Sequence, residues 1–274
     1  MKRTPKSEQF DTIRGNIKWY APEKLFEGFS FVIAKLPNLR ELDFNSSACH
    51  DISLNRISKI LEALFEAQKL EILKIGLQMK DIDQVNLLKN PVFKKTSLKR
   101  THLSLFLFNQ ISLTSTDFQK MFGLLQEITS LYELHLNFFA YIDIEDEILE
   151  DYMERISNLK GIRKLKIVFN YNESSFSPRQ AGNVIRCIFN RMPLLEELDL
   201  TFPKNCFDFA EDSGQDIQGL PRLRKAFLSF KESDIEKEKS IWRIIDVLGK
   251  CERLKELELD FTKSVYGGPE ITRR

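Results

Sequence analysis

Apolar residues along this chain recur in one short phrase, Leu-x-x-Leu-x-Leu, separated by stretches with helical spacing. The phrase stands at residues 39–44, 70–75, 98–103, 131–136, 162–167, 195–200, 223–228 and 254–259, with Thr101 and Ala226 as its main departures. The first positions of successive copies lie 31, 28, 33, 31, 33, 28 and 31 residues apart. Most copies gain another apolar residue two places on: Leu77, Leu105, Phe138, Phe169, Phe202, Phe230 and Phe261. Alternation of this kind predicts a strand with one buried face. Between the strands, Ile57, Ile60, Leu61, Leu64 and Phe65 form a helical stripe. So do Val184, Ile185, Ile188 and Phe189, and again Ile241, Ile244, Ile245 and Leu248. Ser177-Pro178-Arg179-Gln180 reads as a helix start, with Ser as the cap, Pro first in the helix and Gln three after the cap. Gly249 predicts a left-handed stop after Leu248.

A strand and a helix cannot bury an apolar face alone, whereas stacked copies can. The expected fold is therefore α/β: a curved solenoid with a parallel sheet on its concave face and helices on its convex face. Repeats are expected over residues 36–262, after an N-terminal cap at 1–35 and before a short polar tail at 263–274. The cap holds a degenerate unit around residues 13–19, with Trp19, Tyr20, Leu25 and Phe26 as a lid. The tail offers little cover, so the last rung is expected to fray or to serve as a docking edge.

Over residues 36–262 the repeat resembles the leucine-rich-repeat family, and its long helical units look most like the ribonuclease-inhibitor-like branch. That family usually carries Asn eight places after the first Leu. Here those places hold Ser47, Gln78, Phe106, Phe139, Asn170, Pro203, Lys231 and Thr262, so phenylalanine packing is expected to support the turns instead. Irregular repeats rich in Phe, Lys and Asn look like those of single-celled eukaryotes. The resemblance implies a non-catalytic module for protein–protein interaction, or else a permanent subunit of a larger assembly. Some members of the branch activate small GTPases, but no acidic tail marks that activity here.

Charge narrows the partners further. Forty-one Lys and Arg balance 40 Asp and Glu, which argues against a nucleic-acid track or an anionic membrane as the target. No apolar run reaches the length of a membrane span, and no apolar stretch follows the basic residues 2–6 as in a secretory signal. The four cysteines are scattered, which suits a reducing compartment, cytoplasm or nucleus. No phosphate-loop, dinucleotide, zincin or hydrolase motif occurs, so no enzyme activity, cofactor or small-molecule substrate is expected.

If the leucines point inward, the third, fifth and seventh positions of each copy face the concavity. The third-position row alternates in charge from Arg100 through Glu133, Lys164, Glu197 and Lys225 to Glu256. It reads either as a self-neutralising ladder or as a recognition surface. His102 and His135 fall at equivalent places, so their rings are expected side by side, as a pH-sensitive patch or simply as two surface histidines. Two ligands are too few for zinc. Ser104, His102 and Glu133 are a weak catalytic triple on so open a surface. Phe106 and Phe139 are either exposed anchors near Tyr132 or side chains folded under the turn. Partner contacts are expected at Arg100, His102, Glu133, His135, Lys166 and Phe227. The acidic stretch 143–154 and the basic stretch 89–100 read as solvated convex faces, with docking as the other reading.

Overall fold

The structure is a computed structural model that describes residues 12–16, 23–46, 53–79, 81–108, 115–139, 146–170, 178–202, 217–230, 234–235, 238–262 and 265–266. In chain order the strands are β1 (Thr12–Asn16), β2 (Glu41–Asn45), β3 (Ile72–Met79), β4 (Arg100–Phe108), β5 (Leu131–Phe139) and β6 (Lys164–Asn170). They continue as β7 (Glu197–Thr201), β8 (Lys225–Ser229), β9 (Asp234–Ile235), β10 (Glu256–Asp260) and β11 (Val265–Tyr266). All but β9 and β11 form one nine-stranded sheet in sequence order, parallel throughout. β9 and β11 make a separate parallel pair.

Parallel neighbours require a long return path, and helices supply it. These are α1 (Glu23–Ala34), α2 (Leu54–Glu66), α3 (Ile82–Asn86), α4 (Ser115–Gln126), α5 (Asp146–Ser157), α6 (Pro178–Arg191) and α7 (Glu238–Gly249). α1 packs on α2, α4 on α5, and α5 on α6, giving a solenoid-like α/β fold. The lid residues Trp19 and Tyr20 lie outside the described residues, as do the side chains of Leu25 and Phe26.

The alternation in the strands sorts their two faces. Leu42, Phe44, Leu73, Ile75, Leu198 and Leu200 are buried, while their neighbours on the other face are half-buried, except Gly76 of β3, which is buried. The helical stripes meet the buried set: Ile57, Ile60, Leu61 and Leu64 of α2, and Val184, Ile185, Ile188 and Phe189 of α6. Phe65, in the last turn of α2, departs from expectation and is 44% exposed. α6 does begin at Pro178, whose missing N–H is harmless there. Gly249 is the last helical residue of α7 and has no left-handed backbone. The turn closes instead through Lys250 N–H to Asp246 and Val247 carbonyls and Cys251 N–H to Leu248.

Beyond the leucines runs a column of aromatic rings. Phe138, Phe169, Phe202, Phe230 and Phe261 stack from rung to rung, with centroids 5.3, 5.9, 5.2 and 5.5 Å apart and interplanar angles of 7 to 16°. The first four are buried. Each stacked pair adds roughly 0.5–1.5 kcal/mol beyond its area. On the helical side, Lys95 reaches back to the end of α2 and donates to the Phe65 and Ala67 carbonyls at 2.6 and 2.5 Å. Burial lowers its pKa, yet the position suits a cation, because the last carbonyls of a helix lack partners. Lys94 pairs with Glu127 and Lys99 with Glu71, so much of the basic stretch ties one unit to the next. The acidic helix α5 does the same through Glu154, which meets Arg191 of α6.

One register differs from the repeat alignment. Leu103 pairs with Leu134, Leu105 with Leu136 and Leu107 with Phe138, two residues away from the expected match. The alignment would have set the Thr101 hydroxyl against Leu134. Instead Thr101 pairs with Leu131, and its fully buried hydroxyl meets the Ser130 hydroxyl at 2.7 Å. A buried hydroxyl without a partner costs roughly 1–3 kcal/mol, whereas the slipped register supplies one and keeps three apolar pairs. A slip of two leaves every side chain on its original face. At Thr101 itself the offset is three, and a bulge at Thr101/His102, with Tyr132 as the extra residue, brings it to two.

The spine makes a testable difference between phenylalanines. Phe202→Ala should lower the unfolding free energy by about 3–5 kcal/mol, and Phe65→Ala by less than about 1 kcal/mol. Urea denaturation followed by circular dichroism measures both, and equal losses would contradict the spine's role.

Candidate interaction surface on the open sheet face

The slip rearranges the rows that face away from the helices. One row now reads Asp43, Lys74, His102, Glu133, Lys164, Glu197, Lys225, Glu256 across eight consecutive strands. His102 takes the place expected for Arg100, between a lysine and a glutamate. Its Nδ1 lies 2.7 Å from Glu133 Oε2. Further along, Lys164 meets Glu197 at 2.8 Å and Lys225 meets Glu256 at 2.7 Å. Lys74 reaches diagonally to Glu41 at 2.8 Å. The contact with His102 holds the Glu133 carboxyl below its ordinary range, and the bond to Glu197 raises the pKa of Lys164. These groups are part-exposed, so each pair contributes only a few tenths to about 1 kcal/mol.

His102 and His135 are not side by side. His135 pairs in register with Ser104, and His102 with Glu133, so the expected twin-imidazole patch does not form. The cause is the same bulge. Tyr132, the extra residue, lies under the Arg100 guanidinium, 4.9 Å from carbon to ring centre, and 5.7 Å from the His102 ring. Arg100 is thereby separated from Glu133's row and sits exposed at the strand's entrance.

His135 has a different setting. Phe106 meets it edge-on at 5.7 Å, which places Phe106 on the open face and not beneath a turn. The Phe139 side chain lies outside the described residues. His135 Nε2 is buried without a hydrogen-bond partner, and desolvation followed by nearby Lys166 lowers its pKa, against the opposing pull of Asp199 and Glu133. Lys166 is bound to Asp199 Oδ2 at 2.5 Å. Phe227 follows Asp199 in the same row and is half-buried.

An open groove of about 610 Å³ lies over the strands from β5 to β10. Glu133, Lys166 and Phe227 line it, together with Lys164 and Lys225 of the alternating row and Lys255, none of these three lysines being among the expected contacts. Arg100, His102 and His135 are outside its lining. The expected six residues thus divide into an aromatic–imidazole cluster on β4 and β5 and a charged groove further along. The two-residue slip that rearranges them had one sequence signal, Thr101 in a leucine's place.

Among the described residues no helix is long and apolar enough to cross a membrane. Neither family models nor curated proteins yield a match to the chain.

His135 gives the face a pH signature. Its folded pKa lies below the ordinary 6.5, so on acidification the unfolded chain takes up the proton first and stability falls. Glu133, lowered from 4.5, extends the loss to lower pH in the same direction. Melting temperature should therefore drop as pH falls below 6.5, and His135→Gln should flatten the part of the curve above the carboxylate range. An unchanged curve in the variant would show that His135 is freely solvated.

Proposed function

We propose that the chain is a leucine-rich-repeat module of the ribonuclease-inhibitor-like type, a non-catalytic scaffold that holds a protein partner on its concave sheet face or at its C-terminal edge. The eight repeated phrases and the parallel sheet in sequence order support the repeat assignment. The observation that carries the binding reading is the uncovered sheet face, where Phe106, Tyr132 and Phe227 stand among paired charges. Rigid aromatic anchors with a charged surround are the usual makings of a protein interface. Most charges on the face are already paired, so they set orientation and exclude wrong partners more than they supply affinity. The partner is a protein, with nucleic acid, membrane and small-molecule substrate disfavoured by the balanced charge and the open groove. A cytoplasmic or nuclear setting fits the scattered cysteines. Cys187 and Cys251 are free thiols, and burial raises the pKa of both.

A second reading, a permanent subunit of a large assembly, is favoured by apolar side chains exposed on the helices: Phe31 and Val32 on α1, Phe65 on α2 and Trp242 on α7. Small-GTPase regulation rests on the family resemblance alone.

A photo-crosslinking residue at Phe227 should couple to a protein in the native complex, and one at Arg186 on α6 should not. Coupling from the helical side alone, with no free monomer on native size exclusion, would favour the subunit reading. Once a partner is in hand, joint alanine substitution of Arg100, His102, Glu133, His135 and Phe227 should weaken it at least ~30-fold. Unchanged affinity would remove the open face as the binding site.

A further inference from the structure

The last strand of the sheet is unlike the others. Along one inward row, Phe44, Ile75, Leu103, Leu134, Leu165, Leu198 and Ala226 are at most 4% exposed, whereas Leu257 on β10 is 48% exposed. Leu259 and Phe261 are also only partly buried. Among the described residues, no strand pairs with the outer side of β10. The chain beyond it does not supply the next rung at once, since β11 pairs with β9.

The free edge has a definite hydrogen-bonding and charge pattern. Glu256 donates to the Arg224 carbonyl at 3.0 Å, and Asp260 accepts from Phe230 at 2.8 Å. In a parallel pair, alternate residues bond to the same neighbour. Glu256, Glu258 and Asp260 therefore face β8 with their backbones, and the N–H and C=O of Leu257 and Leu259 point to the unpaired side. Glu256 ends the alternating row among the described residues, with Lys225 before it. Glu258 follows Phe227 in the next row and makes no ion pair among the described residues. The position that would continue the first row calls for a cation, and so does its neighbour two residues on.

We propose that this edge receives a strand from another protein, added in parallel, with Lys or Arg opposite Glu256 and Glu258 and apolar residues opposite Leu257 and Leu259. The inference rests on the interaction-module reading and specifies one of its two docking places. A cation–apolar alternation is what the ladder itself uses at Lys164, Leu165, Lys166 and Ile167. Main-chain bonds would give affinity and the side-chain alternation would select the partner. A second copy's β10 is disfavoured as occupant, because it would bring glutamates towards glutamates.

The test uses the full chain and a synthetic peptide, acetyl-Ser-Glu-Lys-Leu-Lys-Ile-Thr-amide, with amide hydrogen exchange read residue by residue by NMR. Peptide addition should slow exchange at Leu257 and Leu259 at least ~10-fold, and leave Glu256 and Glu258, already bonded to β8, nearly unchanged. N-methylation of the second lysine, which keeps the charge and deletes one donor, should abolish the effect. Glu258→Lys should weaken binding about 10-fold. No binding, equal binding of the methylated peptide, or shifts confined to the Lys166–Phe227 groove would each overturn the edge proposal. Only the last would leave peptide capture on the open face in place. Protection of Leu257 and Leu259 without peptide would also overturn it, assigning the edge to the chain's own tail if present on dilution, or to a second copy if it grows with concentration.

Discussion

No single rung of this chain can bury its own leucines. A five-residue strand with two inward apolar side chains is covered only when the strands before and after it align in register and a helix closes the back. That requirement of neighbour cover explains why the strands run parallel in sequence order and why their inner positions, Thr101 apart, are apolar. It also explains the slip between β4 and β5. With Thr101 in a leucine's place, the stack keeps its apolar pairs by moving two residues and giving the hydroxyl a partner in Ser130. The aromatic column from Phe138 to Phe261 then follows the same register to the last rung.

The outer face inherits its chemistry from that inner constraint. Once the leucines are aligned, the residues between them fall into rows, and adjacent strands about 4.8 Å apart make each row electrostatically continuous. The slip turns the row into an alternation that runs from Asp43 to Glu256 with His102 serving between Lys74 and Glu133. Exposed pairs of this kind contribute little stability singly. Register is held by the leucines, since a one-residue error would expose them, whereas a two-residue error would still set Lys164 against Asp199 and Lys225 against Glu258. The same bulge that preserves the row places Tyr132 between Arg100 and His102, and so creates the aromatic cluster at the head of the face.

The repeat, the parallel order and most inner residues were legible because period-two alternation and a recurring phrase are direct statements of which face is covered. Phe138, Phe169, Phe202 and Phe230 were legible for the same reason. The pairing of His102 was not, because alignment by phrase treats all copies as equal. Only the energetic cost of burying Thr101 against Leu134 tells that one copy must shift. The exposure of Phe65 and the ordinary backbone of Gly249 were hidden for a related reason. Stripes and stop signals describe an isolated helix, whereas its last turn is set by the neighbouring unit, here through Lys95 on the carbonyls of α2. Lys164, Lys225 and Lys255 were visible as charges but not as a groove, which depends on how several strands lie together.

Disulfide trapping across β4 and β5 tests the stacking register most directly. Paired cysteines replacing Ser104 and His135, which are register partners, should oxidise readily, whereas cysteines replacing His102 and His135 should not. Preferential bridging of the His102 and His135 positions would restore the unslipped alignment and contradict the arrangement of the open face.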